Sequence, residues 1–231
     1  MKNVCLIPAR GGSKRIPRKN IRLFFGKPLI AWSIEVAKSS GIFDEVYVST
    51  DDKEIANIAI EYGAVVPFLR PAKLSNDFAI DKDVMEHFIL WMKNNQVFSD
   101  TLCYLYATAP FITEKVLKDV KNLLLKSDAA LAYTVTKYDY PVLKALKQDN
   151  SGVIKYFWEE FSRSRSQDLP ELVHDAGQCY FYNLKKYGKE NKTVGFNIPR
   201  LRCQDIDTLE DFKNAEKLFE IILNEKNSKK F

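Results

Sequence analysis

Apolar and polar positions follow two rhythms along this chain. Short runs rich in β-branched and aromatic residues, "NVCLIPA" (3–9), "EVYVSTD" (45–51), "AVVPFL" (64–69), "TLCYLYATAP" (101–110) and "AALAYTVTK" (129–137), read as strands. Between them, "PLIAWSIEVAKSSG", "KEIANIAIEYG", "DKDVMEHFILWMKNN" and "TEKVLKDVKNLLLKS" carry apolar residues at helical spacing. In the last of these, Val116, Val120, Leu123 and Leu124 form an apolar face, with Lys115, Lys118 and Lys121 between them. Strands alternating with helices predict βαβ units and a mainly parallel sheet.

After about residue 137 the alternation loosens. Residues 138–176 contain an "NSG" turn between aromatic and β-branched segments, which predicts an inserted hairpin-like subdomain that returns to the sheet near Gly177 to Tyr182. A further apolar run, "TVGFNIP", and the amphipathic "TLEDFKNAEKLFEIILNEK" close the pattern. Thr208 and Asp211 stand at capping-box spacing where that helix should start. A length of 231 residues suits one α/β domain spanning 1–231.

Composition adds exclusions. The net charge of +5 is modest, and its local run "NEKNSKK" reads as solvated, so charge alone implies no nucleic-acid partner. Cys5, Cys103, Cys179 and Cys203 form no CxxC pair, and Cys5 and Cys103 lie in strand-like runs, as reduced buried thiols do. "MKNVCLIPAR" reaches proline and arginine before an export-signal core could form, and no apolar run approaches spanning length. The expected location is the cytoplasm, with no membrane partner.

"IPARGGSKRIPRKNI" (7–21) sets Arg10, Lys14, Arg15, Arg18 and Lys19 around Gly11–Gly12 at the end of the first strand. Loops at the carboxyl edge of an open parallel sheet face its ligand crevice. The glycines allow positive φ and close backbone approach, and the cations could offset a polyphosphate. The stretch is neither GxxxxGK[ST] nor GxGxxG. A merely solvated basic loop is the competing reading, against which the strand-end position and the glycines weigh. Later, "QDIDT" puts Asp205 and Asp207 two apart, so that on an extended segment both side chains point one way, as a hard cation such as Mg²⁺ would need. The alternative is that Asp207 only supplies negative charge to the start of the next helix.

These residues carry a resemblance. "IPARGGSKRIPRKNI", "GKPLIAWSIEVAKSSGIFDEVYVSTDDKEIA", "FLRPAKLSND", "ATAP" and "DIDTLEDF" resemble the CMP-sugar-acid synthetases, cytidylyltransferases that activate sialic acids and related nonulosonic acids. "RSQDLPELVHDAGQCYF" and "YATAPF" are more similar to the pseudaminic acid cytidylyltransferases than to the sialic acid enzymes. The resemblance implies a three-layer α/β/α Rossmann-like nucleotidyltransferase fold, CTP and a nonulosonic acid as substrates, Mg²⁺ as cofactor and pyrophosphate as product.

It further implies that Arg10, Gly11, Gly12, Ser13, Lys19, Asn20, Arg70 and Thr108 seat the nucleotide. Lys14, with Arg10 and Asp207, would act at the α-phosphate, and Asp205 with Asp207 would hold the metal. Arg15 and Arg18 have no clear role and are expected to be partly solvated. Arg163, Arg165, Gln167, His174, Asp175 and Tyr106 are the candidates for the sugar acid, one arginine meeting its carboxylate. His174 is equally compatible with an ordinary loop position. Two departures stand out. "YATAP" replaces the glutamine-bearing turn of the sialic acid enzymes, and Asp81 stands where they carry a small hydroxyl residue, which puts the nucleotide contacts of that segment in question. Aromatic residues around "VIKYFWEEF" point to a homodimer formed through the insert, as in relatives. Other readings are a sialic acid or 3-deoxy-manno-octulosonate synthetase, a nucleotide-binding protein without catalysis, and a single-strand nucleic-acid binder, the last disfavoured because the aromatics sit in apolar runs.

Overall fold

Ten strands and five helices follow one another in a computed structural model that describes residues 1–228, with side chains to 225. In chain order they are β1 (Asn3–Pro8), β2 (Leu23–Phe24), β3 (Lys27–Pro28), α1 (Leu29–Ser39), β4 (Glu45–Ser49), α2 (Lys53–Glu61), α3 (Asp81–Asn94), β5 (Thr101–Leu105), α4 (Glu114–Lys126), β6 (Leu131–Lys137), β7 (Leu146–Gln148), β8 (Ile154–Tyr156), β9 (Val173–Asn183), β10 (Thr193–Asn197) and α5 (Leu209–Ser228). Six strands form the central sheet in the order β10-β6-β9-β5-β1-β4. β1 pairs in parallel with β4 and β5, and β10 with β6, whereas β9 runs antiparallel to both β5 and β6. The sheet is thus mainly parallel, as the alternating pattern predicts.

Side-chain alternation along β1 sorts the core into layers. Cys5 and Ile7 join Ile30 and Ile34 of α1, Ile55 of α2 and Leu117, Val120 and Leu124 of α4 on one face. Val4 and Leu6 meet Met85, Phe88 and Met92 of α3 on the other. Leu117, not Val116 or Leu123, shares the buried face of α4 with Val120 and Leu124. A third cluster joins α5, through Phe212, Ala215 and Phe219, to Phe24, Phe111 and Ile16 of the basic loop. This contact seats the basic loop against the last helix.

Two expected strands differ. "AVVPFL" forms only isolated bridges at Val65 and Leu69, because Pro67 between them has no N–H to continue a ladder. β5 stops at Leu105, so "YATAP" is a loop at its carboxyl end. The chain leaves the sheet between β6 and β9 and forms the antiparallel β7–β8 hairpin on the way. It rejoins the sheet earlier than expected: Val173, His174 and Asp175 already pair with Lys137, Thr136 and Val135. Of "NEKNSKK", 224–228 continue α5, and 229–230 lie outside the described residues.

Candidate active site

β1 lies between β4 and β5, and the chain runs from β1 first to β4 on one side and later to β5 on the other. Ligands of open α/β sheets bind at such a reversal, outside the strands' carboxyl ends. A cavity of about 420 Å³ opens there. Its wall includes Pro8 at the end of β1, Tyr106 and Thr108 after β5, Arg70, and Asp81 at the start of α3.

The basic loop supplies Arg10, Ser13, Lys14, Arg15, Lys19 and Asn20 to the same wall, and the segment before α5 supplies Asp205 and Asp207. Local chemistry explains the second group. Ile206 is fully buried in the α5 cluster, which turns the flanking aspartates toward the cavity. The capping box forms: Thr208 Oγ1 accepts from the Asp211 N–H at 3.1 Å, and Asp211 Oδ2 accepts from Thr208 N–H at 2.8 Å and Asp207 N–H at 3.2 Å. Asp207 is thereby fixed directly before the helix.

Asp207 bridges back to the basic loop. Lys19 Nζ donates to Asp207 Oδ1 at 3.3 Å and to the Ile206 carbonyl at 2.6 Å, and Arg15 reaches Asp207 Oδ2 at 2.7 Å. Asp205 has no such counter-ion within ion-pair distance among the described residues. Burial, and then the charge of Asp207, hold its carboxyl above the ordinary carboxylate value. A half-buried carboxylate beside a second one, with the cations of the basic loop near, is a donor set that fits Mg²⁺, which takes few protein carboxylates and fills its octahedron with water and phosphate oxygens.

Arg10 and Lys14 converge on one side chain that the pattern reading missed. Asp77 accepts from Arg10 NH1 at 3.0 Å and from Lys14 Nζ at 2.5 Å, and Arg10 also reaches the Asn76 carbonyl at 3.0 Å. The hydrogen bond from Lys14 is the largest influence holding the Asp77 carboxyl below its usual value. A phosphate chain that binds Arg10 and Lys14 must therefore exchange with Asp77. Arg70 is 5% exposed, and burial lowers its guanidinium pKa, with Asp51 opposing the shift. Its Nε donates to Ser75 Oγ at 3.0 Å. Asn20, also buried, donates through Nδ2 to the Arg10 carbonyl and shapes the loop.

Gly11 and Gly12 act differently from the expectation. Neither has positive φ, and neither lines the cavity; the left-handed residues nearby are Arg18, Phe25 and Gly26. The Gly11 N–H donates to Asp51 Oδ1 at 3.0 Å, so an anion seated on it would have to exchange with that carboxylate. A Cβ on Gly11 would stand 2.7 Å from Asp52 Oδ2, so the residue is small to admit the N-cap of α2. Arg18 pairs with Asp52 and Glu54, away from the cavity wall, and its hydrogen bond is the main cause of the low Asp52 pKa. Arg15 and Arg18 are partly exposed, each with a carboxylate partner.

The sugar candidates are divided. Tyr106 lines the cavity, whereas Arg163, Arg165, Gln167, His174 and Asp175 do not. Arg165 pairs with Asp168 in the inserted segment. His174 packs against Tyr138 and its Nδ1 lies 2.8 Å from the Asp175 carbonyl. Asp175 sits beside a bulge of β9 at Gly177, φ 61°, and accepts from Tyr180 Oη at 2.8 Å. Tyr180 in turn packs on Tyr106, its ring centroid 5.6 Å away, so Asp175 adjoins the wall at one remove.

The model of the cytidylyltransferase family matches residues 4–228. This chain belongs to the cytidylyltransferase family. It is 42% identical over 226 residues to a pseudaminic acid cytidylyltransferase of Campylobacter jejuni, an alignment covering 96% of this chain and 97% of that protein. An N-acylneuraminate cytidylyltransferase of Streptococcus agalactiae is 29% identical, with 100% of this chain and 57% of that protein covered. A CMP:2-keto-3-deoxy-manno-octonic acid synthetase in complex with CTP shares the fold, with a TM-score of 0.67 and 19% identity over 95% of this chain and 99% of that one. Within this cytidylyltransferase fold, the residues that pattern reading missed are chiefly acidic partners: Asp77 for Arg10 and Lys14, Asp52 for Arg18. A loop aspartate carries no periodic signal, and only the excess of cations in 10–19 hinted that counter-charges had to come from elsewhere.

Proposed function

We propose that this enzyme transfers CMP from CTP to the anomeric hydroxyl of a nonulosonic acid, pseudaminic acid by preference, with release of pyrophosphate. The observation that carries the reading is the single cavity that collects Arg10, Lys14, Lys19 and Arg70 together with Asp205 and Asp207. The 42% identity to the Campylobacter enzyme supports the choice of sugar acid.

In the reaction the anomeric hydroxyl gives up its proton to water, its oxygen forms a bond to the α-phosphorus while the bond to the bridging oxygen breaks, and pyrophosphate leaves carrying its charge. Arg10 and Lys14, once exchanged from Asp77, bind the phosphate oxygens, and Lys14 offsets charge that grows in the transition state. Lys19 and the desolvated Arg70 add further cations to the nucleotide site, and Asn20 holds the loop through the Arg10 carbonyl. Ser13 and Thr108 are hydroxyl contacts for the nucleotide. Asp205 and Asp207 would hold Mg²⁺, which supplies Lewis-acid charge stabilisation when bound. Positioning and electrostatics account for most of the acceleration.

The test is direct. The protein incubated with CTP, Mg²⁺ and a panel of nonulosonic acids should release pyrophosphate fastest with pseudaminic acid; release with none of them, or with another acid only, overturns the corresponding part of the reading.

The functional unit is proposed to be a homodimer. Tyr140, Val153, Ile154 and Phe157 of the inserted segment are all more than half exposed, an apolar surface that a second copy would cover. Sedimentation should give a dimer at micromolar concentration, and a monomer at every concentration would remove the proposal.

A further inference from the structure

Four carboxylates line the cavity: Asp77, Asp81, Asp205 and Asp207. Asp77 is held by Arg10 and Lys14, and Asp207 by Arg15 and Lys19. Asp205 adjoins Asp207. Asp81 differs in kind, because its hydrogen-bond partners among the described residues are neutral phenols: Tyr104 Oη donates to Oδ1 at 2.8 Å, and Tyr106 Oη donates to Oδ2.

From this arrangement we infer that Asp81 contacts substrate and determines specificity, accepting a hydrogen bond from a neutral N–H or O–H donor at the Tyr104–Tyr106 wall. The inference rests on the cavity being the CTP and sugar-acid site proposed above.

Three physical points support it. A carboxylate has about four lone-pair positions, and two phenols occupy two of them, so each oxygen keeps acceptor capacity. Asp81 is exposed on the cavity wall, in the first turn of α3, where the helix dipole favours a negative charge. Burial and the Asp81 charge both raise the pKa of Tyr104 and of Tyr106, so both phenols stay protonated as donors; Arg70, on the same wall, interacts with Asp81 through space without forming an ion pair with it.

A carboxylate with no ion-pair partner here disfavours close approach of phosphate and carboxylate groups, which the Arg10, Lys14 and Lys19 side attracts. What remains for this wall is the uncharged part of a substrate. Two sources offer the required donor: the exocyclic amine of the cytosine ring, and a hydroxyl or amide N–H of the sugar acid. Tyr104 and Tyr180 act as positioning residues. Tyr104 orients the carboxylate directly, and Tyr180, anchored on Asp175, backs the Tyr106 ring.

Asp81→Asn retains the shape and removes the charge and one acceptor. Steady-state kinetics with each substrate varied in turn should show about a tenfold rise in one KM, with kcat changed less than threefold. A rise in the CTP KM assigns the donor to cytosine, and calorimetric discrimination between CTP and UTP then falls; a rise in the sugar-acid KM assigns it to the sugar. Tyr106→Phe, which keeps the carboxylate but removes one of its donors, should move the same KM by a smaller factor.

Both KM values of Asp81→Asn within twofold of the parent, or a fall in kcat alone, overturn the inference. So does a pair of variants whose changed KM values belong to different substrates. Turnover by the parent enzyme is measured first. If the parent releases no pyrophosphate, it is the proposed function that fails, while the CTP and UTP titrations of parent and variant still decide the base-recognition arm.

Discussion

Asp207→Ala is expected to lower kcat by about a thousandfold or more, the loss that follows when several kcal/mol of metal-assisted charge stabilisation is removed. Three structural facts set this expectation. Asp207 sits on the cavity wall, its partner Asp205 has a pKa raised by burial and by the Asp207 charge, and both lie beside the loop that carries Lys19. The fold should persist. Asp207 meets Arg15 and Lys19 at a partly exposed site, and such pairs add little to stability, so the melting temperature should fall by no more than a few degrees. The measurement is Mg²⁺-dependent pyrophosphate release alongside thermal unfolding. Near-normal Mg²⁺-dependent turnover in a folded Asp207→Ala enzyme contradicts the metal assignment.

Lys14→Ala carries the second large effect. The Lys14 side chain is 79% exposed and its protein partner is Asp77, itself open to water, so its removal should leave the melting temperature unchanged. Its expected cost is kinetic: kcat should fall about a hundredfold, as when one preorganised donor to developing charge is lost, while the KM for CTP rises only modestly because Arg10, Lys19 and Arg70 remain. A change confined to KM, with kcat preserved, would reassign Lys14 to ground-state binding. Stopped-assay kinetics over a range of CTP concentrations separate the two outcomes.

The layers of the fold were legible from apolar periodicity, because buried strands and amphipathic helices must repeat at 2 and about 3.6 residues. Periodicity said less where backbone chemistry intervenes. Pro67 breaks an otherwise apolar run into two bridges, and the bulge at Gly177 lets β9 begin four residues before the expected return, which makes His174 and Asp175 strand residues. The glycines of the basic loop illustrate a different limit. A Gly-Gly pair signals freedom, yet Gly11 is small for lack of room beside Asp52, a contact between residues far apart in sequence.

The site shows the same division. The convergence of the N-terminal cations with Asp205 and Asp207 was readable because "QDIDT" places two carboxylates on one side of an extended segment and Ile206 between them is apolar, hence buried. Asp77 was not readable as the partner of Arg10 and Lys14, since nothing in "LSNDFAI" distinguishes a pairing aspartate from a solvated one. Arg163, Arg165 and Gln167 read as a polar cluster in the sequence, and they lie in the inserted segment, off the cavity wall.

The central claim is that one cavity holds the triphosphate of CTP between the basic loop and the late aspartates. A crystal structure of the protein with CTP and Mg²⁺ tests it most directly. The account predicts phosphate oxygens within hydrogen-bond distance of Arg10 and Lys14, Asp77 turned away from both, and a metal ion held by Asp205 or Asp207. A triphosphate bound elsewhere on the molecule, with the Asp77 ion pairs intact, would contradict it.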